Sequence, residues 1–507
     1  MRHADHLGSQ FAGKIEAMNT RRLVISITFL SIFAMAVRIV IDPDTFWHLA
    51  TARYILNTHT IPHTDIFSFT RFGHPWRGGD VGWLIQIPFY WLQTHVGPGG
   101  IYLLTAVLVT IAYIFIYRSL SGGIFLRSFI LILSAVTAAV HWSPRPYLAT
   151  YVLSAVTLWL FESCTYKKRD HLNWLPLIMI IWVNSHTAHI TAFLLWGVYT
   201  ADAGLRWLAD SRQGELSSGF QLLKNSLLGR YLKIGALMAL AVGINPGGYR
   251  SFLYPFETMS IKALRQFVVE WQSPNFNDPM VFPFLILLLL VISTLAISKQ
   301  RIKTTDFLLL AGFTYLSLTA QRNIAMFALI SPIILTRHLA PITEAAGQRI
   351  GYRGLSSAPP TKFQNWINSL LLVIIILVVG LKILLVFSEE TYQEGLRARQ
   401  PVDAVEVIKK LDPPGKLFNS YNFGGYLLWA LPEYPVFIDG RTDLFGDEII
   451  GEWGEIISAK PGWENQLEDY GIGVILIEPH WELNLLLPGH GWQVIYQDDL
   501  AVVFIPE

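Results

Sequence analysis

The sequence predicts a polytopic α-helical membrane protein of about eleven spans, followed by a soluble α/β domain outside the cytoplasm. Three observations predict it. Of the 507 residues, 52% are hydrophobic and only 15% are charged, against about 25% charged in soluble domains. Long apolar runs recur up to Phe387. From Glu389 onward the pattern changes to short strand-like and amphipathic segments. The formal charge of +1 gives no basic footprint for nucleic acid. Cys164 is the single cysteine, so no internal disulfide can form, and no Cys/His cluster has zinc spacing. The 17 Trp and 20 Tyr suit a chain with many interfacial anchors in membrane lipid.

The N-terminal residues 1–22 carry Arg2, Lys14, Arg21 and Arg22 ahead of an apolar run over 23–41. That run approaches the ~20 residues that span a bilayer. It is too long for a signal-peptide core and lacks a clear cleavage site, so it reads as an uncleaved signal anchor with its N-terminus in the cytoplasm. Further spans are predicted over 101–117, 123–140, 147–163, 174–185, 190–205, 231–244, 281–297, 307–319, 324–335 and 366–387. Several are short and need local thinning of the bilayer or burial among neighbours. The 174–205 pair also reads as one broken re-entrant element, and losing a span there would invert everything after it.

Charge placement orients this core, 23–387. The inner loops hold Arg118; Lys167, Lys168 and Arg169; Arg206, Arg212, Lys224 and Arg230; Lys299, Arg301 and Lys303; and Arg337, Arg349, Arg353 and Lys362. The outer loops are poorer in Lys and Arg for their length, which is the positive-inside pattern. Two outer regions are long, 42–100 and 245–279. The first opens on an amphipathic stretch over 45–56 and holds an apolar stretch over 83–92, too short to span, which reads as an interfacial helix. In 388–507, residues 402–411, 448–459 and 463–470 read as helices. Residues 416–418, 436–438, 474–477, 494–496 and 501–505 read as strands, with a hairpin turn at Asp498-Asp499.

The chemistry concentrates at Asp42-Pro43-Asp44-Thr45-Phe46-Trp47-His48, where the first span ends. Acidic side chains at a membrane boundary are costly unless they serve something. Asp44 fits a general base that deprotonates an acceptor hydroxyl. The plainer reading is that Asp42 or Asp44 caps the helix that follows. His48, one helical turn after Asp44, fits a group that orients the carboxylate or contacts a sugar beside Trp47, or an interfacial histidine with a satisfied hydrogen bond. Asp80 lines the same pocket or caps the 83–92 helix. Asn184, His186 and His189, at an outer turn, fit substrate contacts or bonds between helices. Arg145, Arg322, Arg250, Lys262 and Arg265 are outer cations, suited to phosphate or to lipid headgroups. Glu270, before Trp271, is a second carboxylate candidate or a metal ligand. Gly424-Gly425 and Asp439-Gly440-Arg441 read as turns.

With these residues in view, the chain resembles the GT-C membrane glycosyltransferases, among them the protein O-mannosyltransferases, the aminoarabinose transferases and the oligosaccharyltransferase catalytic subunit. In those families an Asp opens the first outer loop and an Arg follows in the adjoining helix; Asp44 and Arg53 occupy similar places here. The sequence is closer to bacterial members that open with Asp-Pro-Asp-x-x-Trp-His and carry Glu270-Trp271-Gln272-Ser273-Pro274 and Val436-Phe437-Ile438-Asp439-Gly440-Arg441. The resemblance spans nearly the whole chain. It implies a bacterial inner-membrane enzyme, a polyprenyl-phosphate sugar donor and an acceptor outside the cytoplasm. Two departures stand out. Thr45 follows Asp44 where the mannosyl and aminoarabinosyl enzymes have Glu, and Ser143-Pro144-Arg145-Pro146 lacks the second acidic motif of the oligosaccharyltransferase. No cofactor follows from the residues, and a divalent cation is left open.

The resulting expectation is a glycosyltransferase. Asp44, Asp42 and His48 are its catalytic candidates. Trp47, Arg53, Asp80, Arg145, His186, Arg250, Arg265, Glu270 and Arg322 are its substrate-binding candidates. The acceptor, whether glycan, lipid or protein, stays open. A lipid-linked-sugar transporter or flippase is the first alternative; it predicts charges within the spans, which the sequence nearly lacks. A non-catalytic membrane assembly protein is the second; it predicts an Asp44 that faces no cavity.

Overall fold

The computed structural model describes residues 18–211, 226–350 and 360–507. Of the inner-loop and N-terminal charges, Arg2, Lys14, Arg212, Lys224 and Arg353 lie outside the described residues. Helix α1 (Thr20–Ala36) starts where the Asn19 side chain accepts the Arg22 N–H at 2.9 Å. Helix α2 (Pro43–Thr58) starts where Asp42 Oδ1 accepts the Asp44 N–H at 3.0 Å. Pro43 presets the first helical φ, and the Asp44 carboxylate complements the positive end of the helix dipole. The stretch over 83–92 is helix α3 (Trp83–His95), with Pro88 inside it.

The bundle continues through α4 (Pro98–Ser119), α5 (Ile124–Ala138), α6 (Tyr147–Lys167), α7 (Leu175–Ser185), α8 (Ile190–Ser211) and α9 (Leu227–Val242). It closes with α10 (Phe282–Ile297), α11 (Thr304–Thr319), α12 (Ile324–Arg349) and α13 (Lys362–Val386). Among the described residues, six helical segments are long and apolar enough to cross a membrane: Pro98–Ser119, Ile124–His141, Tyr147–Lys167, Pro279–Ile297, Gln321–Arg349 and Lys362–Val386. The expected eleven are not all of that length, because α1, α9 and α11 have 17, 16 and 16 residues. Helices α7 and α8 are separate, joined by a turn at Thr187–His189. Helix α12 is the buried centre, packed against α5, α10 and α11, whereas α13 is largely exposed and leans on α1.

The spans are less free of charge than the sequence suggests. Arg337 of α12 pairs with Glu162 of α6 at 2.7 Å and with Asp306 of α11, and Tyr199 donates to Glu162 at 2.7 Å. A single sequence position cannot reveal this, because the partners come from four helices. Charges in such surroundings persist when paired to one another.

After α14 (Glu389–Arg397) and α15 (Val402–Leu411), the chain builds one four-stranded sheet in the order β1-β2-β4-β3. Strands β1 (Lys416–Asn419) and β2 (Ile472–Ile477) are parallel; β4 (Val502–Pro506) runs antiparallel to β2 and to β3 (Trp492–Gln497). Every residue of β2 is buried, as a strand covered on both faces requires. The β3–β4 turn forms because Asp498 Oδ1 accepts the N–H groups of Leu500 and Ala501 at 2.8 and 2.7 Å. Helices α16 (Tyr421–Ala430), α17 (Thr442–Ile457) and α18 (Trp463–Tyr470) complete this part.

The stretch over 436–438, expected as a strand of this sheet, lies outside it. Its backbone partners are in the first long loop instead: Phe69 N–H donates to Val436 O and Val436 N–H to Phe67 O, both at 3.2 Å. Beside this seam Arg441 is fully buried between Asp439 Oδ2 at 2.6 Å and Asp65 Oδ1 at 2.5 Å. Helix α2 packs along α16. The first loop, α2 and the C-terminal part are thereby held as one piece, and the cavity lies where they meet the bundle.

Candidate active site

Three segments far apart in sequence meet at one guanidinium. Asp42 and Asp44 stand at the N-terminus of α2. Arg145 sits in the turn between α5 and α6, where Ser143 Oγ accepts from Arg145 Nε at 3.0 Å and Thr45 Oγ1 donates to Pro144 O at 3.1 Å. Glu270 lies on the single turn Val269–Trp271, pinned where the Gln321 side chain donates to Val269 O at 3.0 Å. Arg145 then reaches Asp42 Oδ2 from Nε at 3.0 Å, Asp44 Oδ2 from Nη1 at 2.8 Å and Glu270 Oε2 from Nη2 at 2.9 Å. Arg322 Nη1 adds a longer contact to Glu270 Oε1 at 3.5 Å and stacks over Trp271. Three carboxylates against two guanidiniums leave one excess negative charge in the cluster.

All five residues line a cavity of about 310 Å³, together with Trp47, His48 and His186. The surroundings push the Asp44 and Glu270 carboxyls apart. Burial raises the Asp44 carboxyl, Arg145 pulls it back, and the charges of Asp42 and Glu270 raise it again, to about 6. Burial also raises Glu270, but Arg145 and then Arg322 outweigh it and hold Glu270 down at about 2. Asp44 Oδ1 accepts the Trp47 indole N–H at 3.1 Å, so the carboxylate is oriented by Trp47 rather than by His48. His48 Nδ1 pairs with the Gln86 amide at 2.9 Å, and burial, followed by the charges of Arg145 and His186, holds its pKa well below the ordinary value. His186 Nδ1 pairs with Thr150 Oγ1 at 2.8 Å, and burial, Arg322 and Arg145 depress it to about 3.

Other expected site residues stand elsewhere. Arg53 donates to the carbonyls of Leu428 and Trp429 at 3.0 and 3.3 Å and stacks on the Trp429 ring, so it docks α2 onto α16 and does not line the cavity. Arg250 lines a second cavity of about 540 Å³ with His63 and Arg77. Arg265 is exposed on the short helix Ala263–Phe267. Asn184 donates to the carbonyls of Ile180 and Ile244, both at 2.8 Å, a structural role. Asp80 closes the turn Arg77–Asp80, and its side chain lies outside the described residues.

The structure also brings in residues that sequence reasoning missed. Tyr421, Thr442 and Asp443 come from the C-terminal part and Tyr254 from the 245–279 loop. The glycines read as turns are sites of close approach. A Cβ at Gly440 would land on Asp44 Oδ1, and one at Gly425 on the Pro43 carbonyl. The Asp439-Gly440-Arg441 triplet was the available signal, since only a residue without a side chain admits a carboxylate there.

The divalent cation left open by the sequence can be tested against this geometry. Asp42, Asp44 and Glu270 do converge, but the Arg145 guanidinium occupies the point of convergence and takes one oxygen of each. Among the described residues no group of three or more His, Cys, Asp or Glu side chains is arranged to hold a metal ion. The donor set present does not fit one.

No family model matches the sequence, and no curated protein matches it. Solved structures do. The chain aligns with the archaeal oligosaccharyltransferase AglB from Archaeoglobus fulgidus, in complex with an inhibitory peptide and a dolichol-phosphate, at a TM-score of 0.52 and 11% identity, covering 95% of this chain and 74% of that one. The apo form of the A. fulgidus oligosaccharyltransferase aligns at 0.52 and 12% identity, covering 89% and 69%. ArnT from Cupriavidus metallidurans bound to undecaprenyl phosphate aligns at 0.46 and 13% identity, covering 95% and 97%, and adds nothing to the fold assignment at that score. The fold of this chain is GT-C-like.

Proposed function

We propose that this multi-pass, GT-C-like chain is a membrane glycosyltransferase. It moves a sugar from a polyprenyl-phosphate-linked donor to an acceptor outside the cytoplasm, with Asp44 as the base. The observation that carries the reading is the Asp44 carboxylate in a cavity, oriented by Trp47 and Arg145 and tuned to about 6. A base poised just below neutral pH is ionised at pH 7 and still accepts a proton readily. The likeness to a chain seen with a dolichol-phosphate supports a lipid-phosphate carrier.

In this mechanism Asp44 takes the acceptor hydroxyl proton as the acceptor oxygen forms its bond to the anomeric carbon. The bond from that carbon to the donor phosphate oxygen breaks, and the phosphate leaves with the electron pair. Arg145 keeps the three carboxylates together and pulls the Asp44 pKa back against the burial that raises it. Arg322, which makes one long ion pair to Glu270 and stacks on Trp271, is the better partner for the departing phosphate. Residues 388–507 form an extracytoplasmic domain that closes the cavity through Gly440 and Asp443, in a bacterial inner membrane with the N-terminus inside.

The alternatives fare less well on particular observations. A non-catalytic assembly protein needs no cavity at Asp44. A transporter needs charges along a path, whereas Glu162, Asp306 and Arg337 are locked to one another. The test is to offer purified protein a panel of polyprenyl-phosphate sugars and follow release of free sugar or transfer to an added acceptor. Turnover of at least one donor is expected; a chain that binds and turns over none sinks the reading.

A further inference from the structure

One corner of the cavity has chemistry unlike the rest. Trp76 is 1% exposed, yet its indole N–H finds no partner among the described residues. An unsatisfied buried donor costs on the order of 1–3 kcal/mol, and Trp76 lines the cavity, so a ligand there has a bond to complete. Three polar atoms gather around Gly78. A Cβ built on Gly78 would lie 2.6 Å from Trp76 Nε1, 2.9 Å from Asp443 Oδ2 and 2.9 Å from the Tyr254 hydroxyl. Gly78 has no positive φ that would demand glycine. Its missing side chain therefore lets the three polar groups close in on its α-carbon, and any larger residue would collide with all of them.

The charges differ from those around Arg145. Asp42, Asp44 and Glu270 are each held by a guanidinium, whereas Asp443 is hydrogen-bonded by the neutral Tyr254 hydroxyl. The adjacent cation, Arg441, is spent on Asp439 and Asp65. An anion such as phosphate would meet a carboxylate here and no available guanidinium. A sugar hydroxyl suits all three groups, because it accepts from the indole N–H and donates to the carboxylate. The Trp47 ring, 5.9 Å from that of Trp76 and edge-on to it, adds an apolar wall suited to the C–H face of a pyranose or furanose.

We infer that Trp76, Tyr254 and Asp443, gathered around Gly78, form a hydroxyl-recognition subsite that holds an uncharged sugar ring beside Asp44. The inference rests on the glycosyltransferase reading and extends it by naming where the sugar is recognised. The ring belongs either to the donor or to a glycan acceptor.

The experiment compares wild type with Trp76→Phe, Asp443→Asn and Gly78→Ala in full-length purified protein. Binding is measured for undecaprenyl phosphate carrying mannose, glucose or arabinose and for bare undecaprenyl phosphate, alongside transfer to an added glycan. If the ring is the donor's, wild type prefers its sugar-bearing lipid over the bare lipid. Trp76→Phe and Asp443→Asn then cut that preference by at least about tenfold, the scale of one lost buried hydrogen bond, and Gly78→Ala abolishes it. Bare-lipid binding stays within about twofold, which shows that the variants fold. If the ring is the acceptor's, the donor preference is kept and the KM for the glycan rises by a similar factor; this also upholds the subsite. If wild type transfers sugar and none of the three variants changes either quantity, the subsite is wrong while the glycosyltransferase reading stands. If wild type binds neither lipid and transfers nothing, both fall together.

Discussion

Gly440 lies so close to Asp44 that a methyl group on its α-carbon would coincide with Asp44 Oδ1. The Asp44 carboxylate, on the first turn of α2, is thus fitted against a turn of the C-terminal part, 396 residues later in the chain by their numbers. Gly440→Ala is expected to push the carboxylate away from Trp47 and Arg145 and to lower kcat by about 10²-fold, the range of a misplaced general base. Gly451→Ala, whose added methyl meets nothing within contact range, is the control and should leave kcat unchanged. Steady-state kinetics on the two variants separates them.

The pH profile follows from the Asp44 environment. A base must be unprotonated, so kcat/KM is expected to fall about tenfold per pH unit below an apparent pKa of about 6, with Glu270 ionised throughout. Asp42 raises the Asp44 pKa by charge, so Asp42→Asn should move this acid limb to lower pH. Asn caps a helix about as well as Asp, so the start of α2 survives the change. A limb that stays in place would show that another group titrates.

Arg145 holds the cluster. Arg145→Ala leaves three partly buried carboxylates without their shared partner. It should cost on the order of 2 kcal/mol or more, allowing for their partial exposure, and abolish transfer. Arg145→Lys keeps the charge but not the three-way geometry, so it should restore thermal stability in part and activity little. Because a guanidinium stands at the centre of the carboxylates, EDTA is expected to leave transfer by the wild type unchanged. A loss on chelation that Mg²⁺ or Mn²⁺ reverses would contradict this assignment.

Two arginines that the resemblance or the motifs brought forward separate into structural roles. Arg441→Leu strands Asp439 and Asp65 in a fully buried site and should destabilise by about 3–5 kcal/mol. Arg53→Ala loses two hydrogen bonds and a stacking contact between α2 and α16. It should cost about 1–2 kcal/mol and leave the donor KM unchanged. Thermal unfolding monitored with donor kinetics checks both.

The sequence is legible where the information is local. Apolar runs mark α4, α5, α6, α10, α12 and α13. The Asp42-Pro43-Asp44 cap marks the start of α2, and Asp498 marks the β3–β4 turn. It is illegible where a residue's role is set by a distant partner. Arg145 reads as a phosphate clamp until Asp42, Asp44 and Glu270 are seen to claim its three nitrogens. Arg53 reads as a substrate contact until the Leu428 and Trp429 carbonyls claim it. The 436–438 stretch has strand composition, but only the fold reveals that its partner is the Phe67–Phe69 backbone. The short spans are helices as expected, but hydropathy marks a segment as apolar without fixing the length of its helix, and α1, α9 and α11 have 17, 16 and 16 residues.

The most direct measurement compares wild type with Asp44→Asn on one lipid-linked sugar that wild type turns over, recording donor binding and transfer in the same preparation. Asp44→Asn is expected to leave binding unchanged within a few-fold and to lower the transfer rate by about 10²–10⁴-fold, the contribution of a general base. Equal transfer by both proteins would contradict it, reduce Asp44 to a helix-terminal charge, and move the search for the base to Glu270 and Asp443.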